Sequence, residues 1–136
     1  MPEVPSPQYL ESLNPEQRQA TEHFEGPLLV LAGAGSGKTR VLTARVCNLI
    51  HEHGVLPNQI LAVTFTNKAA GEMRDRISRL LRGEPTGMWM GTFHAVGARL
   101  LRRHADRIGW DRAFSIFDSD QSLRLVKNVQ ESVGVD

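Results

Sequence analysis

Leu28-Leu29-Val30-Leu31-Ala32-Gly33-Ala34-Gly35-Ser36-Gly37-Lys38-Thr39 is the stretch that decides the fold. Its first four residues are apolar throughout, bounded by Gly26-Pro27 and by glycines, which is the pattern of a strand buried on both faces of a parallel sheet. From Lys38 the period changes. Leu42, Val46, Leu49 and Ile50 fall on one helical face, and Gly54 offers a stop. A glycine-rich turn between a strand and a helix start can aim backbone N–H groups and the positive helix end at a phosphate. Gly35 and Gly37 are expected at positive φ, where the backbone approaches a β-phosphate with no side chain in the way.

This is the pattern G-x-x-x-x-G-K-[ST], with Ala32 where the pattern has Gly, a position that asks only for a small residue. The expected ligands are ATP and Mg²⁺. Ala32, Gly33, Ala34, Gly35, Ser36 and Gly37 would line the phosphates, Lys38 would bring a point charge to the β and γ oxygens, and the Thr39 hydroxyl would hold the metal.

Working outward, residues 60–65 read as a second buried strand and Asn67 as the cap of a helix with Ala70, Met73, Ile77, Leu80 and Leu81 on its apolar stripe, stopped by Gly83. Residues 88–92 form a weaker strand. A further helix carries Gly97, Leu100, Leu101, His104 and Ile108 and stops at Gly109. After the short segment 114–117 comes a last helix with Leu125, Val126, Val129 and Val133 on one side. Upstream, Asn14 before Pro15 predicts a capped helix over 15–24. Strand, helix, strand, helix, strand, helix implies right-handed crossovers and an α/β fold, a parallel sheet flanked by helices.

Composition limits the alternatives. The chain has 136 residues, and its longest apolar run, Leu28 to Ala32, is too short to span a bilayer. The first five residues lack a basic segment followed by an apolar one, and Cys47 is the single cysteine, which leaves no disulfide framework or cysteine metal site. A cytoplasmic setting without a membrane is expected. The net charge of +1 hides an asymmetry, because nine arginines lie between Arg74 and Arg112 against four acids. Thirteen of the sixteen basic residues are Arg, which suits planar contacts to phosphate, although a solvated helix surface explains the same charge.

Several residues carry two readings at this point. Gln17 has capping-box spacing with Asn14 and is also placed to meet a nucleotide. Arg40 either reaches the nucleotide or sits on the helix surface. Phe65 is a core strand residue or a ring on which a base stacks; Asn67 is a helix cap or, with Thr64 and Thr66, a short donor for phosphate. Arg99, Arg103 and Arg107 recur every four residues as a basic stripe or a polar edge. Asp118 follows an apolar segment, as a catalytic acid does, but has capping-box spacing with Gln121 and no Glu after it.

Four ordered segments together resemble superfamily 1 DNA helicases of the UvrD/PcrA/Rep type: Leu13-Asn14-Pro15-Glu16-Gln17, the loop continuing into Thr39-Arg40, Ile60 through Ala70, and Gly91-Thr92-Phe93-His94. The resemblance implies that Gln17 reads the adenine edge and that Thr64 to Ala70 touches single-stranded DNA. It implies DNA contacts from Thr92 and His94 as well. The fold it implies is a P-loop NTPase (RecA-like) sheet, incomplete here, with residues 1–93 in the ATP-binding motor domain and 94–136 opening an inserted helical accessory subdomain.

The function implied is an ATP-dependent DNA helicase acting on single-stranded DNA and duplex/single-strand junctions in repair or replication, moving 3′ to 5′. Hydrolysis in such motors needs an acidic pair after another strand, plus arginines from a second motor domain, and neither is visible in these residues. The segment alone is therefore expected to bind nucleotide without unwinding DNA. The rival readings are a small P-loop kinase or NTPase, and a non-catalytic truncated DNA-binding module.

Overall fold

A computed structural model describes residues 7–134. Eight regular elements follow in chain order: α1 (Gln8–Glu11), α2 (Pro15–Glu22), α3 (Lys38–His51), β1 (Leu61–Thr64), α4 (Asn67–Leu81), β2 (Trp89–Thr92), α5 (Phe93–His104) and α6 (Ser119–Val133). Short 3-10 turns add Pro57–Gln59 and Ala105–Ile108. The chain divides into two compact units, one ending at Val96 and the other starting at Gly97.

In the first unit, β1 and β2 pair in parallel with Leu61 opposite Trp89 and Thr64 opposite Thr92. Parallel pairing requires a crossover, and α4 supplies it. The core binds these pieces to α3: Val46, Ile60, Ala62, Met73, Ile77 and Met88 are buried together. A second cluster joins Tyr9 and Leu10 of α1 to Ala44 and Cys47 of α3. The one-turn helix α1 has no strong sequence signal, and burial of these two side chains is what gives it a place on α3.

The expected strand at 28–31 does not form. The sheet contains β1 and β2 alone, so no neighbouring strand among the described residues offers backbone partners to this run. Leu29 and Leu31 are consequently 81% and 86% exposed, while Leu28 and Val30 are 42% and 44% exposed, an alternation natural to an extended segment with one face against protein. The other two strands are one or two residues shorter than the sequence predicts. At both, the outermost apolar residues sit beyond the paired register.

Helix ends differ from expectation where a neighbour offers better hydrogen bonding. The cap of α4 is Thr66, not Asn67, because the Thr66 hydroxyl accepts the Ala69 N–H at 3.1 Å and Asn67 becomes the first helical residue. At its other end Arg82, not Gly83, takes the left-handed position with φ of 55°, and the Gly83 N–H closes onto the Ser78 carbonyl at 3.0 Å. The 15–24 helix stops at Glu22, and α5 ends at His104, which puts Arg107 in the 3-10 turn and breaks the four-residue spacing of the basic stripe.

In the second unit the predicted apolar faces of α5 and α6 are present but half exposed, and Ala105 is the buried residue among those described there. A segment of about 40 residues is too short to bury a core of its own. Residues 114–117 are irregular, with the Arg102 guanidinium 5.2 Å from the centre of the Phe114 ring. Asp118 is a helix cap. Its carboxylate accepts the Gln121 N–H at 2.8 Å while the Gln121 side chain accepts the Asp118 N–H at 3.1 Å, so the acid-after-a-strand reading is set aside.

Burial also sets the chemistry of two core groups. The Cys47 thiol is pushed up to about 12 by desolvation, and the Tyr9 hydroxyl is raised to about 12 by desolvation, then by the nearby Glu52 and Cys47. Folding favours the neutral form of each. The stability this contributes is complete below the unfolded values of 9.0 and 10.0 and is lost as pH rises toward 12. At pH 8 a maleimide is expected to label Cys47 in folded protein roughly a hundredfold more slowly than in urea-unfolded protein, read by mass spectrometry of the Cys47 peptide. Equal rates in the two states would contradict the packing.

Candidate nucleotide and nucleic-acid site

The glycine-rich turn adopts the conformation its residues predict. Gly35 and Gly37 lie at φ of 75° and 83°, a region other residues enter only with strain. Gly37 is the N-cap of α3, and no side chain caps that end. The first amides of a 14-residue helix are thus left facing the turn. Nothing lies within 4 Å of where a Cβ would sit on Gly33 or Gly35, so a ligand can approach the backbone there. Ser36 closes the turn, its hydroxyl donating to the Gly33 carbonyl at 2.7 Å.

Lys38 folds back over the turn. Its ammonium donates to the Gly33 carbonyl at 2.6 Å and to the Ala32 carbonyl at 3.1 Å. A bound phosphate offers a stronger, charge-assisted acceptor for the same group. Thr39 is exposed next to it and lines, together with Lys38, a cleft of about 690 Å³. Thr39 would offer a metal one hard oxygen of the kind Mg²⁺ accepts. No group of three His, Cys, Asp or Glu among the described residues could hold a metal.

The capping reading of Gln17 holds, and the same side chain also reaches the glycine turn. Its side-chain oxygen accepts the Asn14 N–H at 3.1 Å, completing the cap of α2, while its Nε2 donates to the Ser36 carbonyl at 2.9 Å. One residue therefore fixes a helix start and touches the glycine turn. Arg40 points the other way, donating to the Ser12 carbonyl at 3.3 Å. Arg45, which the sequence does not single out, lines the cleft and donates to the Ala20 carbonyl at 2.9 Å and to the His23 carbonyl, tying the end of α2 to α3.

Gly37→Ala tests this arrangement. A Cβ there would stand 2.8 Å from Gln17 Nε2, so the amide must swing off Ser36, and the residue must hold a left-handed backbone. The expected result is a loss of about 1–2 kcal/mol in a urea melt with roughly tenfold weaker binding of a fluorescent nucleotide by the full-length protein. Unchanged values in both measurements would contradict the turn.

The opposite wall of the cleft is the carboxyl end of β1. Thr64, Phe65 and Thr66 line the same cavity as Lys38 and Thr39, so two segments 25 residues apart in sequence share one opening. The Thr64 hydroxyl donates to the Thr66 carbonyl at 3.0 Å and is already used; the Thr66 hydroxyl accepts Ala69 N–H and keeps its own proton to donate. Thr92, largely buried at the end of β2, accepts the Ala95 N–H at 3.1 Å in the same manner. Asn67 and His94 are exposed at the starts of α4 and α5, and neither helix has an acid in its first turn. Phe65 is 90% exposed, which removes the core reading for its ring.

A parallel αβ unit, a glycine turn opening an uncapped helix and an adjacent Lys-Thr pair make this an α/β domain with the local features of a phosphate loop. Residues 13–135 match the family described as UvrD/REP helicase N-terminal domain, and the chain belongs to that family. It is similar to the ATP-dependent DNA helicase PcrA of Staphylococcus aureus strain Mu50, 48% identical over 127 residues, and to that of Staphylococcus epidermidis strain ATCC 12228, 50% identical over 127 residues. Each match covers 93% of this chain and 17% of the relative, so the chain spans about a sixth of the length of the curated proteins it matches. No helix among the described residues is long and apolar enough to cross a membrane.

Proposed function

We propose that these residues are the nucleotide-binding part of an ATP-dependent DNA helicase whose ATP turnover drives movement along single-stranded DNA. The observation that carries the reading is the shared cleft, lined by Lys38 and Thr39 where α3 leaves the glycine turn and by the exposed end of β1. Both walls rest on one buried cluster, with Val46 from α3, Ala62 from β1 and Met73 and Ile77 from α4. A shift of α3 on nucleotide binding is therefore felt at Thr64 to Asn67 through packed, close-fitting side chains.

In this reading the amides of residues 34–39 wrap the phosphates, Lys38 leaves the Ala32 and Gly33 carbonyls to meet the β and γ oxygens, and Gln17 reads the adenine edge. Arg40 lies at the border of that site. The Thr39 hydroxyl would hold Mg²⁺ beside the nucleotide, and the charge supplied there would offset charge developing on the phosphates. Thr66, Asn67, Thr92 and His94 meet the phosphodiester backbone at the starts of α4 and α5, Phe65 meets a base, and Thr64 braces the turn between them.

The remainder of the protein supplies what the cleft lacks. We assign residues 1–93 to a RecA-like motor domain and 94–136 to the start of a helical accessory subdomain. Further strands of the sheet carry the acidic pair, and a second motor domain brings the arginines. The segment alone binds nucleotide and does not separate strands. Movement 3′ to 5′ from duplex/single-strand junctions, a role in repair or replication and a cytoplasmic location complete the proposal.

The test is the ATPase rate of the full-length protein with and without single-stranded DNA. A rate that rises with added oligonucleotide and saturates supports the helicase reading. A rate indifferent to DNA, with phosphate passed to a small-molecule acceptor, favours a P-loop kinase instead.

A further inference from the structure

The two parallel strands end in the same dipeptide, Thr64-Phe65 and Thr92-Phe93, and the threonines are register partners. Pairing in register carries the two phenylalanines to one edge. Their ring centres lie 5.2 Å apart with planes 45° to each other, and the two residues are 90% and 51% exposed. Leaving two large rings in water forgoes the burial that usually stabilises such side chains, so the arrangement is costly unless something covers it. Thr66 and Thr92, beside the rings, cap two helix starts that carry no acid in their first turns. An apolar, π-faced surface next to anion-accepting helix ends fits a ligand that alternates flat bases with phosphates.

We infer that Phe93 is a second base-stacking residue, forming with Phe65 a two-ring platform for consecutive bases of a single strand. The inference rests on the DNA-binding reading above and adds a residue to it. A base cannot enter between the rings, because two stacking separations require about 7 Å and only 5.2 Å is present. Each base therefore lies on the outward face of one ring. With the planes 45° apart, two bases so held are not parallel, and the step between them is unstacked.

The experiment uses the full-length protein and two fluorescein-labelled oligonucleotides, oligo-dT and the same strand with abasic sites throughout its centre. Phe93→Leu keeps apolar volume against Phe65 but removes the π face; Phe93→Trp keeps it. For Phe93→Leu the expected result is on the order of tenfold weaker binding of oligo-dT with unchanged binding of the abasic strand, and near wild-type binding by Phe93→Trp. Equal affinity of Phe93→Leu and wild type for oligo-dT, or an equal loss on both strands, overturns the inference. Phe65→Leu and Thr66→Ala separate it from the reading beneath. If they weaken oligo-dT binding while Phe93→Leu does not, Phe93 alone is misassigned; if none of the three has an effect, the DNA surface itself lies elsewhere.

Discussion

Lys38→Ala is expected to lower ATP turnover of the full-length protein by about 10²–10³-fold, the usual consequence of removing one preorganised charge from a developing phosphate charge. Its effect on folding should be small, with the thermal midpoint moving by roughly 2 °C or less. The asymmetry follows from position. Lys38 is exposed, and in the folded protein its ammonium meets two turn carbonyls rather than a buried partner. Lys38→Arg should rescue little, because a planar fork does not replace a compact charge at the end of a flexible stem. Steady-state hydrolysis assays beside a thermal melt check both halves, and turnover near the wild-type value would remove Lys38 from the site.

Met73→Ala carries the largest expected effect on stability, a loss of about 2–5 kcal/mol. Met73 is 0% exposed and sits among Val46, Ile60, Ala62, Ile77 and Met88, so its removal leaves a void where α3, α4 and both strands meet. Against a domain stability of roughly 5–15 kcal/mol this is a large fraction. Because α3 presents the phosphate turn and β1 the facing wall, nucleotide affinity should fall with it. Leu80→Ala, on the same helix but 37% exposed, should cost less than about 1 kcal/mol in a urea titration. Equal losses for the two variants would contradict the assignment of the core face of α4.

What the sequence made legible was local. Gly35 and Gly37 at positive φ, the Asn14 and Asp118 capping boxes and the apolar stripe through Met73 and Ile77 each follow from a few neighbouring residues. The strand at 28–31 was misread for a non-local reason: an apolar run becomes a strand only when other strands hydrogen-bond to it, and composition does not say whether they are present. Cap positions shifted by one residue at Thr66 and Arg82 because two adjacent residues competed for one role.

The site was read in the same uneven way. The glycine turn is contiguous, and its conformation follows from its own residues; Gln17 touching Ser36 across 19 residues is a tertiary fact that no spacing rule supplies. Arg45 was missed because its partners are carbonyls at the end of another helix. Phe93 left a signal in the repeated Thr-Phe dipeptide, but only the register of β1 and β2 gives that repeat a meaning.

Backbone hydrogen exchange of the full-length protein, with and without a non-hydrolysable ATP analogue and Mg²⁺, addresses the phosphate turn itself. Wrapping of the phosphates predicts slower exchange of the amides of residues 34–39 on binding, with smaller protection at Thr66 to Ala69 across the cleft. Saturating binding that leaves the amides of 34–39 exchanging at their free rate would contradict it.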